Sequence, residues 1–256
     1  MSFWQIGAGN MGRAMLAGWA RANALPPGLI VVDPGEPELP GGGRARAGLP
    51  SSVPDTLLLA VKPQLFGAVA AELRPRLAAD TVVMSVLAGT PLATLRAGLG
   101  VERVVRLMPN LPVALGQGVV LGVTETAGAR DEVAALMAPL GLFEWLTDEV
   151  QLDAATALSG CGPAFAYRFL QSLADAAVGL GIEPAQARRL AQATVAGATA
   201  AAAASGDSLG AMADAVASKG GATRAGLDVL DRDGALAGLL AETLRAAHRR
   251  TLELGR

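Results

Sequence analysis

A chain of 256 residues is long enough for one large domain or two modest ones. Its hydrophobic share of 52 %, with only 4 % aromatics, points to a helix-rich core of small side chains in close contact. A net charge of −2 without any basic block argues against nucleic acid as a partner, and the single cysteine (Cys161) and single histidine (His248) exclude an intrachain disulfide and a Cys/His zinc site.

A reducing, cytoplasmic compartment suits such cysteine usage. The opening Met1-Ser2-Phe3-Trp4-Gln5-Ile6 carries no basic run and does not read as a signal peptide. The most apolar window, Ala191 to Ser205, is mostly alanine and threonine, too short and too weakly hydrophobic for a membrane span.

Phe3 to Ile6 reads as a short buried strand. It runs into Gly7-Ala8-Gly9-Asn10-Met11-Gly12, followed by Ala14, Met15, Leu16 and Trp19 at helical spacing. This is G-x-G-x-x-G between strand and helix, the context that the dinucleotide fingerprint requires. The first glycine allows the tight turn, the second lets backbone approach a pyrophosphate, and the third lets helix pack on strand. The competing reading is a purely structural glycine turn. Leu29 to Val32 supplies a second strand ending in Asp33, where a carboxylate can bind the adenosine ribose 2′-OH.

The Pro/Gly-rich stretch from Pro34 to Pro54, with Gly41-Gly42-Gly43, reads as loop, so the usual crossover helix is missing or very short. Further strands are expected at Thr56–Ala60, Thr81–Ser85, Arg103–Leu107, Gly118–Val123 and Phe143–Leu146. Helices are expected at Gln64–Leu77, Thr90–Leu99 (Pro91 at its first position) and Arg130–Leu140. This alternation is a doubly wound α/β sheet, whose ligand crevice lies at the carboxyl ends of the strands. Gly7, Lys62, Ala88 and Asn110 all fall just past such ends.

After Asp148 the pattern changes to helices alone, expected at 148–158, 163–181, 184–204, 209–217, 222–231 and 234–254. The chain therefore divides into a dinucleotide-binding domain, 1–147, and a helical domain, 148–256. With so few aromatics, the helical part is expected to bury its faces against a second copy. One joint stands out: Ser218-Lys219-Gly220-Gly221-Ala222-Thr223, a glycine turn feeding a helix. Free N–H groups and a positive dipole end suit a carboxylate or phosphate there, and Ser218 and Thr223 add hydroxyls. Its bland reading is a helix–turn–helix joint capped by Ser218.

Other candidates carry their own ordinary readings. Lys62 and Lys219 are the only lysines; Lys62 reads as a cofactor or active-site contact, against a solvated surface lysine. Asn110, between prolines, is either a site residue or a turn residue. Cys161 in Gly160-Cys161-Gly162 reads as a small packed thiol, and His248 as an exposed helix residue. The chain thus offers a nucleotide fold without general acid–base apparatus. Hydride transfer to a C=N bond fits that lack, because an imine nitrogen can arrive protonated and the protein need only position the reactants and hold charge. A ketone would call more strongly for an acid.

Taken together, six segments resemble the pyrroline-5-carboxylate reductase family: Ile6 to Gly12, Ala60 to Pro63, Ser85 to Gly89, Arg106 to Asn110, Leu158 to Ala164 and Ala217 to Thr223. They follow the family's order and span nearly the whole chain. The resemblance implies an N-terminal Rossmann domain and a C-terminal helical domain that interlocks with a second subunit, in dimers that often assemble into decamers. It implies NADPH- or NADH-dependent reduction of 1-pyrroline-5-carboxylate to L-proline. Gly7, Ala8, Gly9, Asn10, Met11, Gly12, Ala60, Val61, Lys62 and Pro63 would then contact the dinucleotide, and Ala88 would lie near the nicotinamide. Substrate would be held by Ser218, Gly220, Gly221, Ala222, Thr223 and Asn110, with Thr223 hydrogen-bonding the ring nitrogen. Two alternatives share parts of the pattern. A related imine or β-hydroxyacid reductase would have the Rossmann half and helical tail, but the Ser218–Thr223 loop argues against it. A dinucleotide-binding sensor would show no turnover.

Two departures from the family stand out. Lys219 occupies a position where proline is common, and Asp33-Pro34-Gly35-Glu36 replaces a short polar or basic run. The second leads us to expect NADH to be used at least comparably to NADPH, unless Arg44 or Arg46 folds back over the adenosine.

Overall fold

The structure is a computed structural model and describes residues 2–254. Seven strands form one sheet: β1 (Phe3–Ile6), β2 (Leu29–Val32), β3 (Thr56–Leu59), β4 (Val82–Ser85), β5 (Val104–Pro109), β6 (Gly118–Val123) and β7 (Gly141–Trp145). Their order is β2-β1-β3-β4-β5-β6-β7. The first five are parallel, β6 runs antiparallel to β5, and β7 is parallel to β6. All seven runs read from the sequence are strands, with ends moved by a residue or two.

Both faces of the sheet are covered, which is why its strands read as continuous apolar runs. Helices α1 (Asn10–Arg21) and α4 (Arg130–Met137) lie on one face, where Met15, Trp19, Val133 and Met137 pack with Phe3, Leu58, Met84 and Val105. On the other, α2 (Phe66–Leu73) and α3 (Leu92–Leu99) bring Phe66, Leu73, Leu95 and Leu99 onto Trp4, Leu57, Leu59, Val83 and Val104. Adjacent strand residues thus serve opposite faces, as the two-residue period demands.

Several helices differ from expectation for identifiable reasons. The single helix expected from Gln64 to Leu77 is instead a 3-10 turn at Pro63–Leu65, then α2, then a second 3-10 turn at Arg74–Arg76. Pro75 lacks the N–H that would continue the helix. Pro139 ends α4 in the same way, in the 3-10 turn Ala138–Leu140. Pro91 is not the first residue of α3 but its N-cap, with ψ 154°. No helix joins β2 to β3; residues 33–55 instead fold back along the sheet edge through isolated bridges, Val32 to Arg46 and Glu38 to Arg44.

By compactness the chain divides into two units. One holds the residues through Pro163 together with the last turns from Ala247, and the other is Ala164–Ala246. The sheet unit therefore runs past the change of composition at residue 148. The reason is α5 (Glu149–Ser159), begun by Asp148, whose carboxylate accepts from the Gln151 N–H at 2.8 Å. Leu152 of α5 is fully buried in the core of the second sheet face. Glu149 and Asp153 flank Arg106 of β5, whose side chain is only 4 % exposed, and Glu149 also accepts from the Leu92 N–H at 2.9 Å.

The helical unit contains most of α6 (Gly162–Gly179), α7 (Pro184–Ala204), α8 (Leu209–Ala215), α9 (Ala222–Leu230) and the first part of α10 (Ala235–Leu254). Glu183 caps α7, accepting from the N–H groups of Ala185 and Gln186. The buried core of this unit consists of Ala174, Ala187 and Ala191, with Leu170, Ala177 and Ile182 against them. Tyr167, Phe169, Leu180, Leu209, Val216, Val229 and Leu239 are exposed. Ridges of alanine let helices approach closely but bury little area each.

Candidate active site

β1 delivers the chain to the carboxyl edge of the sheet at Gly7, whose φ of +99° only glycine adopts without strain. A Cβ on Gly7 would stand 2.5 Å from the carbonyl oxygen of Ala60, so the turn lies directly against the end of β3. Gly12 is pressed as closely onto β1: a Cβ there would be 2.6 Å from the Gly7 carbonyl oxygen and 2.8 Å from Gln5 Nε2. Buried Gln5 fixes this turn from below, donating from Nε2 to the Gly7 carbonyl at 2.9 Å. Gly9 differs from both. A Cβ on it would meet nothing within 4 Å, so open space lies beside the backbone at the N-cap of α1. No side chain caps that helix and no acidic residue occupies its first turn. Uncapped first-turn amides next to open space are what a pyrophosphate needs.

Beside the turn is a cavity of ≈ 520 Å³. Among the expected cofactor residues it brings together Gly7, Gly9, Asp33, Ala60, Val61 and Lys62. Ala8 and Gly12 are buried behind the turn, and Asn10 and Met11 open α1. Pro63 starts the 3-10 turn after Lys62. Ala88 is exposed in the loop between β4 and α3 and does not line the cavity. Asp33 is held by two backbone donors, the Ala8 N–H at 2.8 Å and the Gly35 N–H at 2.9 Å. Ala47, Gly48 and Leu49 form one wall and Leu65 and Val69 another. Neither wall was evident from sequence, because the first depends on the fold-back of residues 33–55 and the second on where α2 begins. Arg44 and Arg46 do not line the cavity; Arg44 lies 3.9 Å from Glu38.

Asn110, expected either in the substrate site or as a turn residue, makes two side-chain hydrogen bonds within the sheet unit. It is buried, its Oδ1 accepts from the Val119 N–H and its Nδ2 donates to the Ser159 carbonyl, each at 2.9 Å. The amide therefore ties the end of β5 to β6 and to the last residue of α5. His248 is half-buried rather than exposed, and Cys161 is half-buried in the joint between α5 and α6.

The second group of expected residues lies in the helical unit. The Ser218 carbonyl accepts from the Gly221 N–H at 2.9 Å, closing a tight turn in which Gly220 has φ +72°. Gly221 is the extended N-cap of α9 (φ −80°, ψ 166°), and no side chain caps the helix. Ala222 and Thr223 open its first turn and are exposed, as is Ser218. Arg224 secures the turn to α8, donating to Asp214 at 2.5 Å, and this bond holds its guanidinium pKa above the usual value. The result is a hydrogen-bonded turn whose own residues offer amide and hydroxyl donors and no carboxylate, a chemistry that suits an anion.

Comparison with known proteins agrees with both halves. Residues 149–254 match the family description for pyrroline-5-carboxylate reductase dimerisation. The chain is 36 % identical to pyrroline-5-carboxylate reductase of Pisum sativum, over 97 % of its own length and 94 % of the relative's. With the enzyme of Pseudomonas aeruginosa it shares 35 %, over 97 % and 95 %. Among solved structures, the pyrroline-5-carboxylate reductase of Coxiella burnetii superposes with a TM-score of 0.88 at 27 % identity, covering 100 % of this chain and 98 % of that one. The Plasmodium falciparum enzyme, solved with NADP bound, gives 0.85 at 26 % with the same coverage. Similarity at this level over nearly the full length of both chains, together with the glycine turn of the sheet unit and the glycine turn that opens α9 in the helical unit, means that the chain belongs to the pyrroline-5-carboxylate reductase family.

Proposed function

We propose that this chain catalyses NAD(P)H-dependent reduction of 1-pyrroline-5-carboxylate to L-proline. The observation that carries the reading is the pairing, in a member of this family, of an uncapped helix start beside an open glycine turn with a second uncapped helix start at Gly221. When bound, the nicotinamide cofactor supplies the hydride. The chain's own work is to hold and orient. Gly7 to Gly12 and Ala60 to Pro63 hold the dinucleotide, the former through backbone donors. The amides opening α9 hold the substrate carboxylate, and the Thr223 hydroxyl hydrogen-bonds the ring nitrogen. The hydride goes to the imine carbon and the ring nitrogen can arrive already protonated, so no side chain need deliver a proton, which agrees with the absence of His and Cys from both glycine turns.

We assign dinucleotide binding to the sheet domain and substrate binding and dimerisation to residues 148–256, working as a cytoplasmic homodimer, with a decamer as the larger assembly to test for. The exposed apolar side chains of the helical unit support association, and among the described residues no helix is long and apolar enough to cross a membrane. NADH and NADPH oxidation by purified protein with 1-pyrroline-5-carboxylate tests the reaction; binding of cofactor without turnover would leave a sensor in its place. Light scattering at micromolar protein tests the assembly, and a stable, active monomer would overturn it.

A further inference from the structure

We infer that the adenosine end of this cleft selects a free ribose 2′-hydroxyl and rejects a 2′-phosphate, so that NADH is the preferred cofactor and Asp33 sets the choice. The inference rests on the dinucleotide assignment above and deepens it. Asp33 stands at the end of β2 and lines the cavity with Val32 and Pro34. Its carboxylate cannot readily turn away: one oxygen accepts from the Ala8 N–H of the glycine turn and the other from the Gly35 N–H. Each carboxylate oxygen has two lone pairs, so both can still accept from a ribose hydroxyl. A 2′-phosphate placed there would offer acceptors to acceptors and bring about −1.5 to −2 charges against a fixed negative one.

Among the described residues no arginine lines the cavity, and its one cation is Lys62. Besides Asp33, the charged residues of the cavity are Glu72 and Lys62. Lys62 follows β3, at the turn side, where Ala60 and Val61 abut Gly7. The two arginines nearest in the chain that could have served a phosphate, Arg44 and Arg46, are not among the lining residues. Arg46 is exposed and its backbone pairs with Val31 and Asp33, while Arg44 lies near Glu38. What the segment presents to the cavity is Ala47, Gly48 and Leu49, a small apolar wall suited to an adenine ring.

The test measures dissociation constants for NADH and NADPH by nicotinamide fluorescence, without substrate, in wild type and in Asp33→Asn. Asparagine keeps an acceptor for the Ala8 N–H and removes the charge. Wild type should bind NADH about tenfold or more tightly than NADPH, and Asp33→Asn should narrow that ratio about fivefold, by tighter NADPH binding. Equal or tighter NADPH binding by wild type overturns the inference, as does an NADH preference that Asp33→Asn leaves unchanged. Should the variant fail to fold, competition of adenosine 5′-phosphate and adenosine 2′,5′-bisphosphate against NADH on wild type decides instead: the bisphosphate must be the weaker competitor. Failure of the reductase reading shows separately, as lack of turnover with the imine, and does not move these constants. A protein that binds neither dinucleotide would overturn the cleft assignment and this inference with it.

Discussion

Replacing Asn110 by alanine separates a structural role from a substrate-binding one. The wild-type amide accepts from the Val119 N–H and donates to the Ser159 carbonyl, both at 2.9 Å, from a residue only 7 % exposed. Alanine leaves a part-buried N–H and a carbonyl without their partners. At about 1–2 kcal/mol for each, the loss is roughly 2–4 kcal/mol, out of a total of about 5–15 kcal/mol for a folded domain. For a chain of this size each kcal/mol lowers Tm by about 2–4 °C, so a fall on the order of 10 °C is expected. The assay is thermal unfolding at fixed protomer concentration, with urea unfolding as a second measure, because association shifts apparent stability. Kinetics at a temperature where the variant remains folded should show KM for the imine changed by less than about threefold, since a difference below about 0.7 kcal/mol is what an unchanged contact allows. A variant as stable as wild type, with KM for the imine raised by tenfold or more, would refute the structural account and return Asn110 to the substrate.

Other outcomes follow from the same geometry. Thr223→Val should fold normally and lose about ten- to a hundredfold in kcat/KM, the worth of one hydrogen bond to a charged group; wild-type kinetics in the folded variant would remove Thr223 from the site. Gly7→Ala forces a Cβ to 2.5 Å from the Ala60 carbonyl at φ +99°, so strain and overpacking should together cost about 2–6 kcal/mol, and soluble protein with wild-type Tm would contradict it. The N–H groups of Ala185, foremost, and Gln186 hold the Glu183 pKa below its usual value. The cap therefore stabilises α7 above the unfolded carboxyl pKa and fades as pH falls through the lower folded one. Hence the Tm difference between wild type and Glu183→Ala should hold above the ordinary glutamate range and shrink as pH falls below it, and a difference that does not change with pH would remove charge from the cap.

Much of this architecture could be read in advance because it is written in local patterns. Val82 to Ser85 or Val104 to Leu107 can hardly be anything but buried strands, and a glycine turn between strand and helix has a steric reason for each glycine. The hydrogen bonds of Asn110 are not legible in the sequence because its partners, Val119 and Ser159, lie nine and forty-nine residues away; between prolines it looks like any turn residue. Gln5 was missed for a related reason, since a polar residue in a buried strand gives no sign that it supports the turn two residues later. The wall formed by Ala47 to Leu49 follows isolated bridges, Val32 to Arg46 and Glu38 to Arg44, which no periodicity announces. Proline positions misled mainly at helix ends, where Pro75 and Pro139 tighten the last turn rather than simply bounding the helix.

The ion cluster at Arg106 bears on how this protein can be cut. Compositional reading puts the end of the dinucleotide-binding part at residue 147, yet Glu149 and Asp153 are the carboxylates that face the Arg106 guanidinium. A fragment ended at residue 147 would leave a cation inside the sheet layer without its counter-ions, uncover the core around Leu152, and remove the acceptor for the Leu92 N–H. Stranding one member of a buried pair costs about 3–5 kcal/mol, a large part of what a domain of that size has to spare. A nucleotide-binding fragment for calorimetry, crystallisation or fusion should therefore reach at least Pro163, keeping α5 and its carboxylates with the strand they neutralise, although the last turns from Ala247 also belong to that unit.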